Sequence, residues 1–322
     1  MFKSYLKTSV RFLLKNKIFS FINIFGLATG TLCCLYILLY VQNQYSFDKQ
    51  HKNAASIYRI TTDLNLTGDK HHGASSSPPI APAMKSDFPE VQNFVRVVET
   101  DKLGSAEHLL RYQEKSFYET GAFYVDSTYF NIFNYHFVEG RAAHSLDEPY
   151  DVVLIKSTAD KLFGNQSALG KLVNIDDQWG KHDFKVTGVV DESLGKSHLS
   201  ANMFINLKSG SAGMGIANDG EWAGNNFLYS YVKLRPDADP KAFEKKLPAF
   251  LNKYAGQQIK TLGMQKVLHL QPITEIHTTG GYEVEPTKTT DPKFLYILIL
   301  IAVLIQVIAC INFMNLSTAR AS

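Results

Sequence analysis

The sequence predicts an α+β domain held between two transmembrane helices. Three observations lead there: an uncharged apolar run near each end, a mildly acidic middle that lacks cysteine, and strand and helix patterns alternating across that middle. The chain has 322 residues, with a formal net charge of +3. That balance is uneven. The basic Lys3, Lys7, Arg11, Lys15 and Lys17 precede the first run without an acid among them, Arg320 follows the second, and residues 42–293 carry a net charge of −3. A domain with that balance offers no phosphate-binding surface, so nucleic acid is not an expected partner.

Ile18 to Val41 is the first run and Phe294 to Leu316 the second, 24 and 23 residues long and free of charge. As helices rising about 1.5 Å per residue, both are long enough to cross a hydrocarbon layer of about 30 Å. The basic flanks place both chain ends in the cytoplasm and residues 42–293 outside. A cleaved signal peptide fits the first run poorly, because its apolar core is too long and no small-residue cleavage pattern follows. Residues 1–17 set Phe2, Leu6, Val10, Leu13 and Leu14 near one helical face, a pattern suited to lying along a membrane surface. Lys3, Lys7, Arg11, Lys15, Lys17 and Arg320 are therefore the expected contacts to lipid headgroups or to a cytoplasmic partner. Residues 317–322 form a short cytoplasmic end.

Within the runs, Gly26 and Gly30 have the spacing that lets a second helix approach closely. Gln306, Asn312 and Asn315 are polar exceptions in the second run and are expected to face another helix, a cavity or the headgroup boundary. All three cysteines, Cys33, Cys34 and Cys310, lie in the runs, so the middle relies on an apolar core and not on disulfides.

Between the runs, a strand is expected to begin at Ile57, a helix to run from Ser77 and Pro78 to about Asp87, and a strand to follow at "FVRVV". A matching second portion has a strand at Phe227 to Leu234, a cap at Asp239, a helix from Pro240 to Tyr254 shortened or kinked at Pro248, and a strand at "VLHLQPI". Residues of about 120–215 have a different texture, short strands around one or two brief helices, and are expected to form an inserted lobe. The stretch "KSGSAGMGIANDGEWAGNN" is expected to be a mobile loop or hinge.

Catalytic motifs are not supported. "GNQSALGK" is the nearest approach to a phosphate loop, but five residues separate its glycines and Leu172 stands where the magnesium-binding hydroxyl belongs. His71 and His72 lie in an expected polar loop, and Glu275 and His277 at a strand end, without the convergent set a metal needs. No catalytic, cofactor-binding or metal-binding residue is assigned.

The segments "YFNIFNYHFVEGRA", "VVLIKSTADKLFGNQSALGKLVNI", "DFKVTGVVDESLGKSHLSANMFINL", "LQPITEIH" and "ACINFMNLSTARAS" resemble the amino-terminal portion of MacB/FtsX-like ABC transporter permeases, in the long form typical of Bacteroidetes. That resemblance implies a periplasmic domain with a porter-like subdomain interrupted by a mostly β subdomain, on an inner-membrane protein with several spans. It further implies a partner ABC ATPase carrying ATP and magnesium, a second permease copy or half, and in some members a periplasmic adaptor or outer-membrane component. The expected work is mechanical: export or lipoprotein and peptide handling, or regulation of an envelope partner without transport. A two-span sensor with an outer ligand-binding domain is the alternative from another class. The third and fourth helices of the family lie beyond Ser322, so a gene fragment or a shortened form is expected.

Overall fold

The computed structural model describes residues 17–66, 68–191 and 195–318. The chain divides into two units, Met1–Tyr45 with Thr290–Ser322, and Ser46–Thr289. In the first unit, helix α1 (Lys17–Gln44) pairs with helix α9 (Pro292–Thr318), each a few residues longer than its expected span. Ser20–Gln44 and Pro292–Met314 are long and apolar enough to cross a membrane. Large apolar side chains such as Phe21, Phe25, Leu32, Leu300 and Val307 are exposed around both helices, a distribution that suits hydrocarbon and not water.

The second unit contains, in order, β1 (Ile57–Leu66), β2 (Asp69–Gly73), α2 (Ile80–Asp87), β3 (Val91–Glu99), β4 (Glu107–Tyr112), β5 (Lys115–Thr120), β6 (Ala122–Val125), α3 (Tyr129–Ile132), β7 (Phe137–Gly140) and β8 (Asp151–Ile155). It continues through α4 (Lys156–Phe163), β9 (Leu172–Asp177), β10 (Gly180–Val190), β11 (Met203–Asn206), α5 (Gly210–Ala217), β12 (Tyr229–Leu234), α6 (Pro240–Glu244), α7 (Leu247–Thr261), β13 (Met264–Pro272) and α8 (Ile273–Ile276). The strands join one sheet in the order β13-β1-β12-β3-β6-β11-β8-β10-β9-β4-β5, with β2 beside β1 and β7 beside β10.

Four antiparallel strands, β13-β1-β12-β3, form a split β-α-β arrangement, because α2 carries the chain from β1 to β3 and α6–α7 carries it from β12 to β13. Alternation along each strand sorts its side chains onto two faces. Tyr58, Ile60, Val232, Leu234 and Leu268 pack with Met84, Phe243, Leu247 and Phe250 from the helices. Ile57, Val95, Val97 and Tyr231 face the other way, against Tyr129, Phe133 and Ile276. Asp239 caps α6 by accepting a hydrogen bond from the Lys241 amide at 2.9 Å, and Pro248 stands at the start of α7, so the expected single helix is two. Proline fits a first turn, where its missing N–H has no partner to lose.

The apolar core runs past the middle of the sheet. Phe123 and Val125 of β6, Phe204 of β11 and Val153 of β8 join the same cluster as Val95 and Val97 of β3. The hairpin β4–β5, which precedes the expected start of the lobe near residue 120, sits at the far end of the sheet beside β9.

Two expectations need correction. His71 and His72 lie in strand β2 and not in a loop, paired through Asp63 and Leu64 of β1. The stretch from Lys208 to Asn226 is a fastened segment and not a mobile hinge. It begins with α5, and Gly213 lets that helix approach so closely that a Cβ there would lie 2.3 Å from the Leu207 carbonyl oxygen. Its second half is gripped by Lys266, whose buried ammonium reaches the Trp222 and Ala223 carbonyl oxygens at 2.6 and 3.1 Å, Asn226 Oδ1 at 2.8 Å and Ser77 Oγ at 2.7 Å. Burial pushes the Lys266 amine down to about 7, a desolvation effect. Glycine-rich composition conceals such a segment because its anchor comes from a lysine 40 residues downstream.

Two of the three glycines of α5 give a matched test. Gly213→Ala should destabilise the chain by about 1–3 kcal/mol through overpacking. Gly215→Ala, with nothing within 4 Å of its added Cβ, should be neutral or stabilise by up to about 1 kcal/mol. Urea unfolding of the detergent-solubilised chain reads both, and equal effects would refute the close-approach account.

Candidate functional site

The two ends of the second unit are each held by a buried carboxylate, Asp48 beside His198 at one end and Glu285 paired with Arg59 at the other. Just after α1, residues 46–53 turn sharply, and Asp48 takes a left-handed backbone with φ of +60°. Its carboxylate is fully buried. Asp48 Oδ2 lies 2.8 Å from His198 Nδ1, Oδ1 accepts from Ser197 Oγ at 2.8 Å, and the Asp48 amide donates to the Lys196 carbonyl at 2.8 Å. Burial alone would raise the Asp48 carboxyl, but His198, with His51 and Ser197, outweighs it and holds the group well below the usual carboxylate range. Beside it, the Phe47 ring stacks on His277 at a centroid separation of 3.5 Å and an interplanar angle of 4°, with Lys196 Nζ 5.6 Å from the Phe47 centroid. Burial pushes the His277 imidazole below its ordinary value, which favours the neutral ring for stacking.

The return segment is held just as firmly. Arg59, fully buried in β1, makes a two-pronged pair with Glu285: Nη1 to Oε2 at 2.6 Å and Nη2 to Oε1 at 2.7 Å. Gln271 Oε1 accepts from Arg59 Nε and Nη2 at 3.0 and 2.6 Å. Desolvation opposes the guanidinium charge, and Glu285 overcomes it. Tyr229 OH donates to the Val284 carbonyl at 2.8 Å, and Glu283 bonds through its backbone to His72 and Ala74.

One residue connects the two anchors. Tyr231 OH lies 2.8 Å from His198 Nε2, and Tyr231 stands directly opposite Arg59 in the β1–β12 pairing. Asp48, His198 and Tyr231 are thus linked through their side chains, and the β1–β12 pairing sets Tyr231 beside Arg59 and its partner Glu285, so that adjacent strands hold the segment that follows α1 and the one that leads toward α9.

Other titratable groups serve the sheet. Thr100, His108 and Asp177 are arranged in the manner of a catalytic triad, with His108 Nε2 2.9 Å from Thr100 Oγ1 and Nδ1 3.2 Å from Asp177 Oδ2. His108 and Thr100 are buried, so no substrate reaches the hydroxyl and the trio acts as a strut between β4 and β9. Glu99, at the last rung shared by β3 and β6, is pushed up to about 7 by burial and by Asp101. Among the described residues no group of His, Cys, Asp and Glu could hold a metal ion.

The residues singled out from the sequence lie elsewhere. Gly30 faces Ala309, whose Cβ would be 2.7 Å from an added one, and Gly26 faces Asn312 Nδ2 at 3.6 Å. Gln306 Nε2 donates to Cys310 Sγ at 3.6 Å, while its buried Oε1 has no hydrogen-bond partner among the described residues. Lys17 is exposed at the start of α1. Lys3, Lys7, Arg11, Lys15 and Arg320, and the Asn315 side chain, lie outside the described residues. Sequence reading missed the buried anchors, although one signal was present: Arg59 interrupts the strand "IYRI" with a charge that needs a buried partner.

Comparison with known families settles the assignment. The model of the MacB-like periplasmic core domain matches residues 20–250. The chain belongs to that family. It is therefore a MacB/FtsX-like ABC permease, its α+β periplasmic domain bounded by two helices capable of crossing a membrane. Among solved structures, a domain described as that of a permease protein from Porphyromonas gingivalis aligns at a TM-score of 0.59 with 17% identity, covering 77% of this chain and 98% of that one. The periplasmic region of MacB from Actinobacillus actinomycetemcomitans aligns at 0.44 with 20% identity, over 72% and 100% of the two chains. The extracellular domain of the ABC-type transporter YknZ from Gram-positive bacteria aligns at 0.40 with 18% identity, over 67% and 99%. A search of curated proteins gave no match.

Two measurements test the electrostatics of the MacB-like domain. Glu285→Leu leaves the Arg59 guanidinium buried without its carboxylate and should cost about 3–5 kcal/mol, whereas Arg59→Met combined with Glu285→Leu should recover most of that loss. Denaturant unfolding reads both, and a double variant no more stable than the single would refute the buried-pair account. For Glu99, the folded state holds its proton more tightly than the unfolded chain does. Its contribution to stability is complete below about 4.5 and is lost as pH rises toward about 7. Melting curves across that window should show this decline, and Glu99→Gln should flatten it.

Proposed function

We propose that this chain is a permease subunit that converts the ATP cycle of a partner ATPase into movement of its periplasmic domain, for export or for lipoprotein and peptide handling. The observation that carries the reading is the buried anchoring at Asp48 and Glu285. It fastens both juxtamembrane segments to one sheet, one through the buried Asp48 carboxylate with its Ser197 and His198 contacts and the other through the Arg59–Glu285 pair, so that a displacement of either segment is resisted by buried polar contacts and not by a flexible linker. A hinge or shear motion of the helices would then be delivered to the domain as a rigid body.

In this reading ATP and magnesium belong to the ATPase, a second permease copy or half completes the membrane unit, and a periplasmic adaptor or outer-membrane component receives the cargo. The basic residues from Lys3 to Lys17, with Arg320, meet lipid headgroups or the ATPase at the cytoplasmic face of the inner membrane. Gly26 and Gly30 serve as a helix-packing face, and Gln306, Asn312 and Asn315 meet polar groups of further helices.

The test uses the full-length permease with its ATPase, after replacement of Cys33, Cys34 and Cys310, and with spin labels at the exposed Lys181 and Lys241. Nucleotide-dependent distance changes between the outer domains are expected in the parent protein. Asp48→Asn combined with Glu285→Gln should reduce both those changes and export while ATP binding persists. Unaltered motion and export in a folded double variant would show that the coupling does not run through these segments. Motion without export of any cargo would favour regulation of an envelope partner.

A further inference from the structure

A cavity of about 430 Å³ opens between the turn after β3, the β9–β10 turn and helix α5. It is lined by Leu103, Trp179, Ile216 and Phe227, with Gly215, where an added Cβ would meet nothing within 4 Å. Among the described residues, Asp219 is the only charged side chain in the lining. Its carboxylate is held in place, Oδ1 by the Glu221 amide at 2.8 Å and Oδ2 by Asn225 Nδ2 at 2.6 Å. Both bonds come from neutral donors, so the negative charge remains available to a ligand.

We propose that this cavity binds small apolar ammonium ions. Its volume lies within the range of ligand sites, and its mostly apolar lining favours a hydrophobic body. The Asp219 carboxylate and the Trp179 ring, both in the lining, are the two groups that attract a cation, one by charge and the other through its ring quadrupole. An anion would be repelled by Asp219, and a neutral apolar molecule would desolvate that carboxylate without compensating it. The inference is independent of the mechanical role, because binding is measured without nucleotide or partner.

Isothermal titration of the full chain in lipid nanodiscs, against empty nanodiscs, tests it with 4-phenylbutyltrimethylammonium as probe and 4-phenylbutanol as the neutral control. Saturable binding of the ammonium, about tenfold tighter than the alcohol, is expected. Gly215→Leu adds a bulky side chain to the lining and a better helix former to α5, and should weaken binding of both probes about tenfold without lowering the melting temperature. Asp219→Asn should weaken only the ammonium. The proposal is overturned if the ammonium does not saturate, if both probes bind equally, or if Gly215→Leu leaves binding unchanged in a protein that melts as the parent does.

Discussion

The buried guanidinium of Arg59 is the constraint around which the domain is arranged. A buried charge in a sheet is tolerable only where its donors are matched by acceptors, and Glu285 and Gln271 accept its Nε, Nη1 and Nη2 hydrogen bonds from two later segments of the chain. The return segment must therefore lie over β1, and β13 must pair beside it in the register that presents Gln271 opposite Arg59. Apolar residues at these positions would fill the space equally well. They would not specify which segment returns, or in which register.

That requirement propagates through Tyr231. The residue faces Arg59 across the pairing and reaches His198 with its hydroxyl, so the loop following β10 is positioned by the strand paired with the one that carries the return segment's anchor. Because β3, β6, β11 and β8 share an apolar cluster with β1 and β12, the two halves of the sheet are packed on one core. A split into porter-like and inserted parts describes the order of the chain better than it describes the core.

The elements with strong periodicity were legible in the sequence: both apolar helices, β1, α2, β3, β12, the capped helix at Asp239 and β13. Local pattern decides these elements, and the proline at position 248 even announced the break between α6 and α7. What escaped was set by distant partners. Strands β2 and β5 expose most of their side chains and owe their state to neighbours in the sheet, and the glycine-rich segment after α5 is held by Lys266 from β13. The buried polar anchors were invisible for the same reason. Asp48 and His198 sit in ordinary polar loops, and nothing local distinguishes them from solvated residues. His277 was weighed as a metal ligand, whereas the fold uses it as a flat platform for Phe47.

The long reach of these anchors also governs how the domain comes into being. Asp48 is 150 residues from His198, and Arg59 is 226 from Glu285. As the polypeptide emerges on the outer face of the membrane, β1 appears early, yet only β2 is available to pair with it until β12 and β13 follow some 170 residues later. An apolar strand bearing an unneutralised arginine must wait through most of translocation, a slow and aggregation-exposed interval for a chain with so many distant pairings. The Arg59–Glu285 pair can close only when the segment bearing Glu285 has followed. Completion of the fold therefore waits on the last stretch before α9.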